Sequence, residues 1–274
     1  MKKKREKKYE LCLIGAGNMG EAIISGLLAK KLFSKKGIMA IDVSMSRRKQ
    51  IKKKYGITCT EKLSFCRQSK RVLLAVKPQD IKGVLREIRN HVQKGQLIIS
   101  IVAGKTLQSI EKAFPFLPPV VRVMPNTPAL VRQGVSGVCF NKKVTSRQKK
   151  EATRIMKSIG QVIIFKEKAM NAVTAVSGSG PAYVFYFLEA YLQAAKGLGL
   201  HEKDAEVLVT GTIRGALALL LQSGEAPEGL RKKVTSKGGT TEAALKIFDK
   251  KKFRDIFKQA VKAAEKRGRE LNKM

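Results

Sequence analysis

Short apolar runs and helix-period stretches alternate through the first half of the chain. Residues 9–14, 38–41, 71–76, 97–101 and 120–124 read as strands. Between them, 21–30, 47–55 and 81–91 carry the spacing of amphipathic helices. Such alternation implies βαβ units and a mostly parallel sheet. Two further β-rich runs, 135–140 and 162–165, extend that sheet, with 146–159 helical between them. After Phe165 the strand signal stops. From Pro181 onward the pattern is helical, over 182–198, 203–222, 241–248 and 252–271. The stretch 213–221, IRGALALLL, is apolar on almost every side. A helix without a polar face must be buried all round, and in so small a domain another subunit is the way to bury it. The boundary is expected near 166–170, giving an α/β domain over 1–167 and an all-α oligomerising domain over 168–274.

The 274 residues correspond to one large or two modest domains on a prior of about 150 residues each. With 43% hydrophobic residues, the chain is not disordered as a whole. Its charge is unusual: 56 Lys+Arg against 21 Asp+Glu leave a formal +35. The cations recur as doublets and triplets along the whole chain, and no Trp is present. A dedicated nucleic-acid module concentrates its charge and interleaves aromatics for stacking. The expectation is therefore adhesion to polyanions at low salt without a specific nucleic-acid partner. Cys12, Cys59, Cys66 and Cys139 form no C-x-x-C pair, and His91 and His201 are the only histidines. No metal site is expected, and the cysteine usage fits a reduced, cytoplasmic protein. Residues 1–8 lack the apolar stretch of a secretion leader. The longest uncharged run, 169–188, carries Ser177-Gly178-Ser179-Gly180-Pro181 in its middle, which argues against a membrane span.

The first chemical signal is Gly15-Ala16-Gly17-Asn18-Met19-Gly20, placed directly after a strand and opening a helix. The first glycine permits the tight turn, the second lets the backbone approach a diphosphate, and the third lets helix pack on strand. Asn18 and Met19 lie in this turn, ahead of the helix whose free N–H groups would face that diphosphate. Asp42 follows Gly20 by 22 residues, where an acid would bind the 2′-hydroxyl of an adenosine ribose and favour NADH. Arg47 and Arg48 lie close behind and would instead accept a 2′-phosphate, favouring NADPH. Both cofactors stay open. Ala75-Val76-Lys77-Pro78 and the run Ser100 to Gly104, which includes Ala103, occupy strand ends that would border the cofactor, as does Val123 to Pro128.

The second signal is Ser236-Lys237-Gly238-Gly239-Thr240-Thr241, a glycine loop with hydroxyls at a helix start, suited to a carboxylate. The Ser177–Pro181 segment reads as a second loop of this kind, but G-x-S-x-G is absent, so a serine hydrolase is not expected.

Five segments together, GAGNMGEAI (15–23), AVKPQD (75–80), RVMPNTPA (122–129), VTAVSGSGPAYVF (173–185) and VTSKGGTTEAAL (234–245), resemble the pyrroline-5-carboxylate reductases. The resemblance runs in order over nearly the whole chain. It implies an N-terminal Rossmann dinucleotide-binding domain and a C-terminal all-α dimerisation domain. The implied activity is NADPH- or NADH-dependent reduction of 1-pyrroline-5-carboxylate to L-proline, in a homodimer that assembles further as a pentamer of dimers. It also implies that Ser236, Gly239, Thr240 and Thr241 hold the substrate carboxylate, with the Thr241 hydroxyl near the ring nitrogen. Glu225 matches an acid near the substrate, and Lys77 matches a lysine beside the cofactor. Lys237 departs from the family's usual proline, Val102 from a small residue, and Lys232 and Lys233 from a more acidic or neutral pair. Two other readings compete: a polyanion-binding protein that keeps the fold as a scaffold, and a related reductase for another imine or keto acid. All of this presumes that the glycine turn and the Thr241 helix tip serve one crevice.

Overall fold

The structure, a computed structural model, describes residues 8–272; the basic segment 1–7, part of the stretch read above as lacking a secretion leader, lies outside them. The described residues form strands β1 Tyr9–Ile14, β2 Ile38–Ile41, β3 Thr58–Thr60, β4 Ser69–Leu74, β5 Leu97–Ser100, β6 Val120–Met124, β7 Gly134–Phe140 and β8 Gly160–Ile164. Helices are α1 Asn18–Ala29, α2 Met45–Tyr55, α3 Ile81–Ile88, α4 Leu107–Glu111, α5 Ser146–Met156 and α6 Met170–Val173. They continue as α7 Gly180–Gly197, α8 Glu202–Ser223, α9 Pro227–Lys233, α10 Thr240–Lys250 and α11 Phe253–Leu271.

The strands make one sheet in the order β3-β2-β1-β4-β5-β6-β7-β8. Pairing is parallel except between β6 and β7, so the last two strands run against the others. Strand β1 is apolar on both faces, and its period of two sends Leu11 and Leu13 into one core and Cys12 and Ile14 into the other. The first core is closed by Ile23, Ile24 and Leu27 of α1 and Ala152, Ile155 and Met156 of α5. Ile81, Leu85 and Ile88 of α3, with Leu107 and Ile110 of α4, close the second. Each fully buried Leu or Ile contributes about 1.5–3 kcal/mol. The order reverses beside β1, with β2 on one side and β4 on the other, which opens a crevice at the carboxyl ends of these strands.

The chain divides into two compact units. One runs to Ser179 and takes back the chain from Ala264 on; the other is Gly180–Ala263. The unit boundary thus falls after α6, because Met170 sits in the second core and Val173 packs against Gly137 of β7. The end of α11 returns to the first unit, where Asn272 Nδ2 donates to Asn171 Oδ1 at 2.8 Å. In the second unit α7 and α8 share a small core of Ala195, Ala205 and Val209, backed by Leu188 and Leu192. Tyr183 of α7 meets Phe257 of α11 edge to face at 5.9 Å. Much of its apolar surface stays open: Leu217, Leu219 and Leu221 of the IRGALALLL stretch are more than half exposed.

Candidate active site

One candidate site is built at the β1–α1 turn. Gly15 has φ +92°, and a Cβ there would lie 2.7 Å from the Ala75 carbonyl carbon and 2.8 Å from the Val76 nitrogen. The first and second sequence segments singled out above are therefore packed backbone to backbone. Gly20 is closed in the same way by the Gly15 carbonyl and by Leu13. Gly17 is different: a Cβ there would meet nothing within 4 Å, and the residue caps α1 without a side-chain hydrogen bond. The leading N–H groups of α1 thus face open space at the positive end of a 12-residue helix. Asn18 beside them is exposed and Met19 half-buried. An exposed N-terminus over an open glycine fits the diphosphate of a nicotinamide dinucleotide.

Asp42 follows β2, and its carboxylate is pinned by backbone donors: Ala16 N–H to Oδ2 at 2.8 Å and Ser44 N–H to Oδ1 at 2.9 Å. Arg47 folds back over the turn, donating from Nε to the Ala16 carbonyl at 2.5 Å and pairing with Glu21. Glu21 also accepts from Lys54 Nζ at 2.8 Å and the Tyr55 hydroxyl at 2.9 Å. Burial alone pushes the Glu21 carboxyl up, but hydrogen bonds from Lys54, Tyr55 and Arg47 outweigh it and hold the group at about 2. Arg48 is tied to the Asp42 and Val43 carbonyls at 2.8 and 2.9 Å and to Glu61 at 2.8 Å.

The remaining strand-end residues line up as the topology requires. Ala75 donates to the Ile14 carbonyl at 2.8 Å, and Lys77 and Pro78 are exposed in the turn closed by Asp80 N–H on the Lys77 carbonyl at 3.0 Å. After β5, Val102 is buried and Ala103 half-buried. Sequence reasoning named the Val123–Pro128 and Ser177–Pro181 segments but assigned neither Asn126 nor Ser177. Asn126 Oδ1 accepts the Val135 N–H at 2.8 Å while its Nδ2 donates to the Ser177 hydroxyl at 3.3 Å. The signal for Asn126 was its position just past the end of β6. Ser177 is not in a loop, as expected, but in a π-helical turn, Thr174–Gly178, which continues α6. Gly178 lacks a Cβ where the Met124 methyl packs, so the helical path stays open there.

A second candidate site lies in the helical unit. Gly239 caps α10, with Thr240 and Thr241 as its first residues, so their N–H groups lead an 11-residue helix. A Cβ on Gly239 would collide with the Ser236 hydroxyl, so the glycine leaves room for that hydroxyl beside the helix start. Gly238, at φ +73°, donates its N–H to Glu242 Oε2 at 2.6 Å. That bond, with Lys246, holds the Glu242 carboxyl below the usual range. Glu225 is paired with Lys233 at 2.7 Å, and Lys232 with Glu228 at 2.9 Å. Lys232 and Lys233, two of the three lysines that depart from the family pattern, are thus both matched by carboxylates.

This geometry agrees with the comparisons. Residues 167–271 match the family described as pyrroline-5-carboxylate reductase dimerisation, and 10–104 match one described as NADP oxidoreductase coenzyme F420-dependent. The pyrroline-5-carboxylate reductase of Pseudomonas aeruginosa is 39% identical over 263 residues, covering 95% of this chain and 96% of that protein. The solved pyrroline-5-carboxylate reductase of Coxiella burnetii superposes with a TM-score of 0.89 at 37% identity, over 97% of this chain and all of that one. The Plasmodium falciparum pyrroline carboxylate reductase, solved with NADP bound, gives 0.88 at 30% identity, over 97% of this chain and 99% of that one. A dinucleotide turn, a hydroxyl-lined helix tip and this likeness along the full length converge: the chain belongs to the pyrroline-5-carboxylate reductase family.

Proposed function

We propose that this chain reduces 1-pyrroline-5-carboxylate to L-proline with NADPH or NADH, the last step of proline biosynthesis. The observation that carries the reading is the Ser236–Thr241 loop. Two leading N–H groups and three hydroxyls gather at one helix tip, a donor set suited to a small carboxylate. Gly15, Gly17, Asn18 and Met19 would hold the cofactor diphosphate, and Asp42 or Arg47 its adenosine ribose. Ala75, Val76, Lys77, Pro78 and Ala103 would border its nicotinamide half. When bound, the reduced nicotinamide supplies the hydride that the imine carbon accepts.

The protein's own task is mainly orientation. Ser236, Gly239, Thr240 and Thr241 hold the substrate carboxylate and so fix the plane of the ring. The Thr241 hydroxyl positions the proton that the ring nitrogen carries. A protonated imine needs neither a strong acid nor a metal to become electrophilic. Glu225 and Lys77 place supporting charge on the substrate and cofactor sides. A homodimer covers the open apolar helices of the second unit, and five dimers assemble into a decamer in the cytoplasm, without a specific nucleic-acid or membrane partner.

The test is purified chain with racemic 1-pyrroline-5-carboxylate and either reduced cofactor, followed at the reduced-nicotinamide absorbance band. Substrate-dependent loss of absorbance is expected. No loss with either cofactor would overturn the assignment.

A further inference from the structure

Asp42 and the two arginines behind it left the cofactor's phosphate state open in the sequence, and their bonding partners decide it. We infer that this reductase prefers NADH, with Asp42 as the residue that rejects a 2′-phosphate; the inference rests on the reading of the glycine turn as a NAD(P)H site.

Asp42 stands at the carboxyl end of β2, at the rim of that turn. Its two oxygens are held by the Ala16 and Ser44 N–H groups at 2.8 and 2.9 Å. A carboxylate oxygen offers two lone-pair sites, so each keeps one acceptor position free for a ribose hydroxyl. A ribose diol donates to such a group. A 2′-phosphate has no proton to donate at neutral pH and brings like charge against a carboxylate that two backbone bonds prevent from turning away.

The cations that could reverse this preference are already committed. Arg47 uses Nε on the Ala16 carbonyl, Nη1 on Gln50 Oε1 at 2.6 Å and Nη2 on Glu21. Arg48 uses Nη1 on the Asp42 and Val43 carbonyls and Nη2 on Glu61. Both side chains are largely buried, at 18% and 15% exposure. Recruiting either one to a phosphate would break bonds to backbone carbonyls and one ion pair, to Glu21 or to Glu61. Each guanidinium therefore shapes the β2–α2 turn. The +35 charge of the whole chain attracts both cofactors and the more anionic one more strongly, a contribution that physiological salt screens.

The experiment is a fluorescence titration of the full chain with NADH and with NADPH, in about 0.15 M salt and without substrate. The wild-type chain is expected to bind NADH at least tenfold more tightly. Asp42→Asn keeps one acceptor oxygen for the turn but removes the charge, and is expected to tighten NADPH and weaken NADH until the ratio approaches one. Arg48→Ala is expected to shift both affinities by a common factor. Should Asp42→Asn disturb the fold, displacement of NADH from wild-type protein by AMP or 2′-AMP decides the matter, with AMP expected to be the stronger competitor. Equal or tighter NADPH binding, a stronger 2′-AMP, or a selective loss of NADPH affinity in Arg48→Ala would each overturn the inference. Binding of neither cofactor would overturn it together with the glycine-turn reading. Tight NADH binding without turnover of 1-pyrroline-5-carboxylate would refute the proposed reaction and leave this inference standing.

Discussion

Leu11 and Leu13 of the sheet unit are fully buried, whereas Leu217, Leu219 and Leu221 of the helical unit are 54%, 52% and 75% exposed. Both sets belong to runs of comparable apolarity, so the difference lies in what each unit supplies to cover them. The sheet is apolar on both faces and finds helices for both within the same chain. The second half of helix α8, residues 213–221, is apolar nearly all round, and its own unit packs α8 on the side of Ala205 and Val209. The first unit therefore completes its core by itself, while the second is completed by another copy. On the proposed reading, the cofactor is held by the self-sufficient unit and the substrate carboxylate by the dependent one.

The sharpest break in that comparison is Leu13→Ala, which hollows the finished core. It is expected to cost about 2–5 kcal/mol in urea unfolding while leaving the dimer Kd unchanged. A cost below about 0.5 kcal/mol would contradict the closed core. Leu217→Glu should do the reverse. Each substitution acts twice in a two-fold dimer, so the dimer Kd read by sedimentation should rise by roughly 100-fold or more, with NADH binding retained. An unchanged Kd would show that α8 does not make the interface.

A smaller effect is expected at Glu21, whose folded carboxyl is held at about 2. Its contribution, on the order of 2 kcal/mol, is present above the unfolded carboxyl's ordinary range and is lost as pH falls toward 2. The stability gap between wild type and Glu21→Gln should accordingly be full at pH 7 and close between about pH 4.5 and 2. A gap that is constant with pH would mean that Glu21 acts through packing alone. Smallest of all, Lys237→Pro should stiffen the carboxylate loop and lower the KM for 1-pyrroline-5-carboxylate by roughly two- to threefold. A rise would mean that the lysine's charge, rather than loop mobility, sets binding.

The sheet was legible because its strands are continuous apolar runs. β1, β2 and β6 begin and end where the pattern places them, and β7 starts one residue earlier. β3 was not legible, since Thr58-Cys59-Thr60 has no apolar alternation and takes its place by pairing with β2 at the sheet edge. α9 escaped for a similar reason: its seven mostly polar residues, beginning with Pro227, carry no periodic face. At the site, the glycine turn and the threonine loop were legible as local strings. The Glu21 cluster, the pinning of Asp42 and the Glu225–Lys233 pair were not. The Glu21 partners and the Ala16 partner of Asp42 lie 26 to 34 residues away, and only the closed fold brings them together.

One measurement reaches the central claim, that the hydroxyl on the helical unit serves the reaction whose cofactor the sheet unit holds. Thr241→Ala is compared with wild type for both NADH affinity and kcat/KM toward 1-pyrroline-5-carboxylate. The expected result is unchanged NADH affinity with kcat/KM lowered by roughly 10–100-fold, the loss of one or two charge-assisted hydrogen bonds. Full retention of kcat/KM, or a loss matched by equally weakened NADH binding, would contradict it.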